Sequence, residues 1–155
     1  MNKNETLKWL HNQEDNLIVV DERMTDIKGC TRGIYGIFVN DGGIEKCVYV
    51  GKTDNFYSRM FKGQGHICRL RRKTHFIEEL NNITKPKKVI FKILEEVPFI
   101  YDNYYKDLQR LASAETYHIN KYQNIDQCLN QVPEGTKVTE KEWKEAKLTY
   151  EKNKN

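Results

Sequence analysis

A run of β-branched and aromatic residues, RGIYGIFV at residues 32–39, is followed by the turn sequence NDGG at residues 40–43 and answered by KCVYVG at residues 46–51. Strand-prone residues on both sides of an Asp-Gly-Gly turn predict a β-hairpin, which ties the chain to a fold built on antiparallel pairing. A three-residue loop, with glycine in the left-handed position, makes the numbers of cross-strand partners sum to 84 and sets Tyr35 opposite Tyr49. A two-residue loop shifts the register by one and sends the two tyrosines to opposite faces.

Other elements are read around this hairpin. Asn4 as a cap, with Leu7 and Leu10 three residues apart, predicts a peripheral opening helix. A helix starting near Asp54 carries Phe56, Met60 and Phe61 and breaks at residues 63–65, where two glycines stand. A strongly basic helix is expected from about His66 to about Asn81, and KVIFKILE at residues 88–95 reads as a third strand between Pro86 and Pro98. Residues 103–122 form a long helix. Thr139 with Glu142 makes a capping box, and Trp143, Ala146 and Tyr150 lie at helical spacing, so a docked C-terminal helix is expected over residues 133–155.

At 155 residues the chain fits one domain, 1–155, with an N-terminal arm and helix over residues 1–31 and a core over residues 32–132. Cys30, Cys47, Cys68 and Cys128 form no CxxC pair and share no metal-ligand spacing with the histidines, the pattern of reduced packing thiols. The polar start MNKNETLKWL and the lack of a long apolar run predict a soluble, cytoplasmic protein that neither enters nor spans a membrane. A net charge of +4 says little, but its placement says more. From Arg59 to Lys73 the bases Arg59, Lys62, Arg69, Arg71, Arg72 and Lys73 occur without one acid, while acids gather in the last quarter of the chain. Such segregation fits a surface that faces phosphates.

The long helix carries an apolar stripe through Leu108, Leu111, Ala112, Ile119 and Tyr122, and Glu115 falls in its middle. A carboxylate aimed at a core is costly unless paired, hydrogen-bonded or bound to a metal. Taken alone it reads as half of a buried salt bridge, with one of the arginines as partner.

Gly33-Ile34-Tyr35 and Tyr49-Val50-Gly51 resemble the two halves of the motif that names the GIY-YIG nuclease superfamily. Arg59 follows Tyr49 by ten residues, within YVGKTDNFYSRM, where that family's helix carries its arginine; Glu115, in AETYHINKY, resembles its metal-binding glutamate; and Asn130 stands where an asparagine is common. The resemblance covers residues 33–130 and departs in two places. The second half reads YVG, and the histidine that usually stands close behind the arginine is displaced, leaving His66 first and His75 second as its counterpart. The resemblance implies an α+β class, a small three-stranded antiparallel sheet flanked by helices, with the hairpin, the Arg59 helix and the Glu115 helix converging on one cleft.

What the resemblance implies for function is divalent-metal-dependent hydrolysis of DNA phosphodiester bonds by an endonuclease, in restriction and defence or in a phage or mobile element. One Mg²⁺ or Mn²⁺ per active site would be held by Glu115, the only carboxylate offered, and would neutralise the phosphate and the leaving oxygen. Arg59 supplies a planar, permanently charged fork for phosphate oxygens. Tyr35 and Tyr49 can orient or deprotonate the attacking water; the resemblance favours Tyr35 as base, and Lys52 and His66 are candidates for the positive charge that such a phenol needs. His75 and Asn130 are supporting candidates. Lys62, Arg69, Arg71, Arg72 and Lys73 would contact the DNA backbone, with RNA left open as a substrate, and a homodimer is what cutting both strands would require. The competing reading is a catalytically silent nucleic-acid-binding domain on the same scaffold.

Overall fold

The computed structural model describes residues 3–13, 16–28 and 31–126. Its elements are α1 (Lys3–His11), β1 (Ile18–Val20), a 3-10 turn at Glu22–Thr25, β2 (Gly33–Asp41), β3 (Ile44–Thr53), α2 (Phe56–Phe61), α3 (His66–Arg72), a 3-10 turn at Glu78–Asn82, β4 (Lys87–Glu96) and α4 (Tyr104–Asp126). The expected C-terminal helix over residues 133–155, and with it Asn130, Cys30 and Cys128, lies outside the described residues. Cys47 and Cys68 are buried free thiols, as their spacing suggests.

The class is α+β, and the sheet differs from expectation by one strand. Four strands run in the order β1-β4-β2-β3, with β2 antiparallel to both neighbours and β1 parallel to β4. The three antiparallel strands are those read from the sequence. The fourth spans only three residues, too few for periodicity to show, and is held by Val89 N–H to the Leu17 carbonyl at 2.7 Å and Asp21 N–H to the Phe91 carbonyl at 3.1 Å.

The hairpin closes through Gly42 and Gly43, so Asp41 pairs with Ile44, a two-residue loop rather than a three-residue one. That loop alone would separate the tyrosines. A bulge reverses the outcome: the register shifts between Ile37 and Phe38, so that Phe38 pairs with Cys47 but Ile37 pairs with Tyr49, leaving Val48 as an extra residue on β3. Tyr35 therefore lies opposite Gly51 rather than Tyr49, yet both tyrosines occupy one face, with ring centroids 6.2 Å apart.

Each face of the sheet has its own core. Tyr35, Ile37 and Phe91 gather with Phe56, Met60, Phe61, Ile67 and Leu70 of α2 and α3. Ile34, Phe38, Cys47 and Val50 meet Leu111 and Ile119 of α4 on the other face. Leu10 and Met24 belong to the first of these clusters, so the opening helix is not peripheral but contributes to the core. The predicted stripe of α4 is buried at its centre, with Leu111 and Ile119 at 3% and 0% exposure, while Leu108 and Tyr122 at its ends are half-buried. Its start is capped by Asn103, whose side-chain oxygen accepts from Lys106 N–H at 3.1 Å.

The basic helix is much shorter than expected. It stops at Arg72, because Lys73 adopts the left-handed conformation (φ 58°) and Thr74 N–H bonds back to the Arg69 carbonyl at 2.9 Å. No glycine marks this cap. Beyond it, Asn81 clamps the chain at His75, accepting its N–H at 2.9 Å and donating to its carbonyl at 3.0 Å.

Candidate active site

Tyr35 projects from β2 toward α2 and α3 and is 1% exposed. Its ring lies over Gly51, where a Cβ would collide with the phenol, and Gly33 lies so close to the Glu95 carbonyl that a side chain there would meet backbone. Two glycines of the hairpin motif thus have a steric reason: one admits the tyrosine ring and the other admits β4.

Around Tyr35 the fold brings together four of the residues singled out in the sequence. Its hydroxyl is 2.7 Å from His66 Nε2. Tyr49, half-buried on β3, and Arg59 of α2 both lie within reach of that hydroxyl. His66 is fully buried at the start of α3, and its Nδ1 is 2.8 Å from His75 Nε2, so the two histidines that competed for one role are adjacent members of one chain of hydrogen bonds. Phe76, which is 49% exposed, stacks on His75 with centroids 4.5 Å apart and meets Tyr49 edge-on at 5.4 Å.

Burial governs the protonation of this cluster. It raises the Tyr35 hydroxyl well above the ordinary phenol range, the nearby Tyr49 adds to the rise, and the Arg59 charge opposes it. Burial first, and the Arg59 charge second, push His66 down to about 2; burial and the charges of Arg69 and Arg59 push His75 down to about 4. His66 is therefore neutral at physiological pH and does not supply the positive charge expected of it beside the tyrosines. Arg59 does.

A stability prediction follows from these two rings. In the unfolded chain each takes up a proton below about pH 6.5, whereas in the folded protein they do so only near about 4 and about 2. The unfolded state then binds more protons in acid. Stability present above about pH 6.5 is lost as pH falls, by roughly 1 kcal/mol for each histidine at about pH 5.5. Denaturant midpoints measured between neutrality and about pH 5 check this, and a flat profile over that window contradicts it.

Glu115 lies elsewhere. It is 2% exposed, and its Oε1 is 3.5 Å from Lys52 Nζ, so a lysine of β3 is one of its partners. Lys52 pairs opposite Ile34, whose side chain faces α4, while Tyr35 and Tyr49 face α2 and α3. The glutamate accordingly packs on the α4 face of the sheet and the tyrosine cluster on the α2 and α3 face, so a phosphate served by both would have to lie across the edge of the sheet. β3 is the edge strand that separates them.

Part of the basic run is structural. Arg69 Nε donates to the Gln64 carbonyl at 3.2 Å and Arg72 Nη2 donates to the Gly63 carbonyl at 3.3 Å and to Gln64 Oε1 at 3.2 Å, holding the turn that precedes α3. Lys62 and Lys73 are exposed, and Arg71 is half-buried. Four buried polar residues, Thr6, Arg32, Asp107 and His118, had no reading in the sequence. His118, one turn after Glu115, has Nε2 3.0 Å from Glu95 Oε1. Arg32, at the start of β2, is 4% exposed and donates to three acceptors. Helical spacing from Leu111 and Glu115 could have placed His118 inward, but the partners of His118 and Arg32 are distant in sequence and appear only in the fold.

Comparison of the chain with protein-family models, with curated proteins and with solved structures finds no match.

Proposed function

We propose that the chain is a divalent-metal-dependent endonuclease that hydrolyses phosphodiester bonds in DNA. The observation that carries this reading is the assembly around Tyr35, where Tyr49, Arg59 and His66 converge from three separate elements on one buried hydroxyl. A hydrophobic core has no need of such a group. Arg59 is suited to bind a phosphate oxygen and to stabilise the charge that builds there. Tyr35, kept protonated by burial and held by His66, orients the attacking water through its hydroxyl, with Arg59 the charge that can draw its proton away. Tyr49 offers a second, more exposed hydroxyl.

Glu115 is the residue that would hold the metal. The Lys52 contact, at 3.5 Å, is longer than the roughly 2.7–2.9 Å of a well-made charge-assisted bond. Among the described residues no group of three or more His, Cys, Asp or Glu comes together, so an ion at Glu115 would have to draw its other ligands from water and substrate. Such an ion, when bound, supplies Lewis acidity at the phosphate and the leaving oxygen. The Lys52–Glu115 contact also favours the second reading, a silent nucleic-acid-binding domain in which the lysine satisfies the carboxylate permanently.

Incubation with supercoiled plasmid separates the two. Nicking is expected with Mg²⁺ or Mn²⁺ and is expected to vanish in EDTA. Full activity in EDTA would remove the metal from the proposal, and DNA binding without any cleavage would establish the silent domain.

A further inference from the structure

Three hydrogen bonds run in series from the backbone of the segment after α3 to the candidate site. Ile77 N–H donates to His75 Nδ1 at 3.0 Å, His75 Nε2 is 2.8 Å from His66 Nδ1, and His66 Nε2 is 2.7 Å from the Tyr35 hydroxyl. The first link settles the direction of the others. A peptide N–H can only donate, so His75 Nδ1 carries no proton and the proton of its neutral ring lies on Nε2. That N–H points at His66 Nδ1, which must then accept. The proton of His66 is left on Nε2 and is donated to the Tyr35 oxygen.

We propose that His75 is a positioning residue that fixes the tautomer of His66, and through it makes Tyr35 an acceptor from His66, with its own hydroxyl proton free to be donated elsewhere. The arrangement excludes His66 as a base toward Tyr35, since the nitrogen facing the phenol is already protonated. It also excludes an imidazolium there, because a proton on Nδ1 would confront the N–H of His75. Burial of both rings, at 0% and 3% exposure, removes the water that could otherwise satisfy a reversed chain. His75 is itself held at both backbone groups by Asn81 and is stacked between His66 and Phe76, with interplanar angles of 26° to each. A His66 N–H aimed at the tyrosine oxygen occupies an acceptor site on that oxygen and turns the hydroxyl proton of Tyr35 away from His66. The effect on cleavage rests on the nuclease reading, whereas the tautomer does not.

Long-range ¹H–¹⁵N correlation of the imidazoles in the ¹⁵N-labelled full chain, at neutral pH and without nucleic acid, reads the tautomers directly. Wild type is expected to show both His66 and His75 protonated at Nε2 only. A protonated Nδ1 on His66 overturns the proposal outright. His75→Gln keeps an N–H donor where Nε2 stood and is expected to retain the His66 tautomer, with plasmid nicking within about tenfold of wild type. His75→Glu presents only acceptor atoms, so His66 is expected to become protonated at Nδ1 and nicking to fall at least about tenfold below the glutamine variant. A folded His75→Glu chain whose His66 stays protonated at Nε2 alone refutes control by His75, and should that variant fail to fold, the wild-type and glutamine spectra still decide. If the spectra follow expectation and wild type cuts nothing, the nuclease reading falls and the hydrogen-bond chain stands.

Discussion

Glu115→Gln is expected to abolish cleavage while leaving the thermal midpoint within a few degrees of wild type. The structure sharpens the reason. Were Glu115 one half of a fully buried ion pair, its loss would leave an uncompensated cation at a cost on the order of 3 kcal/mol. One partner is Lys52, whose side chain is 17% exposed and lies 3.5 Å away, so its ammonium can turn to water at a cost nearer the roughly 1 kcal/mol of a surface pair. Removing a carboxylate that is 2% exposed offsets that cost. An amide oxygen is a poor ligand for a hard divalent cation, so activity should disappear although the fold persists. Melting curves and plasmid nicking, measured together, decide. A variant that melts much earlier and still cuts DNA would make Glu115 architecture and place the metal elsewhere.

Arg32→Met should produce the largest loss of stability among single changes near the site. The guanidinium donates to Asp54 Oδ1 at 3.0 Å, to the Val97 carbonyl at 2.7 Å and to the Asp107 carbonyl at 3.0 Å, and lies 4.3 Å over the Phe99 ring. It thereby ties the start of β2 to the end of β4, to the first turn of α4 and to the residue before the α2 cap. Methionine fills a similar volume and makes none of those bonds, so a loss of about 3 kcal/mol is expected, a fall in midpoint on the order of 10 °C. Arg32→Lys should recover little, because one ammonium cannot span three acceptors held in different directions. Chemical denaturation measures the difference, and a loss below about 1 kcal/mol would show that the acceptors find other donors.

The parts of the fold legible in the sequence are those whose cause is local. The hairpin, the short helix after it, the stripe of α4 and the inward placement of Glu115 are all read from turn chemistry and from periods of two and 3.6 residues. The end of the basic helix was not, because Lys73 caps it in a conformation usually left to glycine, and the reason lies in the Asn81 clamp beyond it. β1 was missed since three residues carry no period, and its place depends on the neighbouring backbone of β4.

By itself the sequence determined that Tyr35, Tyr49, Arg59, His66 and Glu115 would be displayed by one hairpin and three helices, since side-chain direction follows from strand and helix geometry once the elements are known. Only the tertiary structure decided how those groups relate. A single extra residue, Val48, restored the tyrosines to one face that the two-residue loop would have divided. Burial made His66 neutral and joined it to His75. The packing of α4 against the far face of β3 put Glu115 beside Lys52 rather than beside the tyrosines. Each of these depends on desolvation or on contact between distant segments, and such terms exist only when the chain is folded.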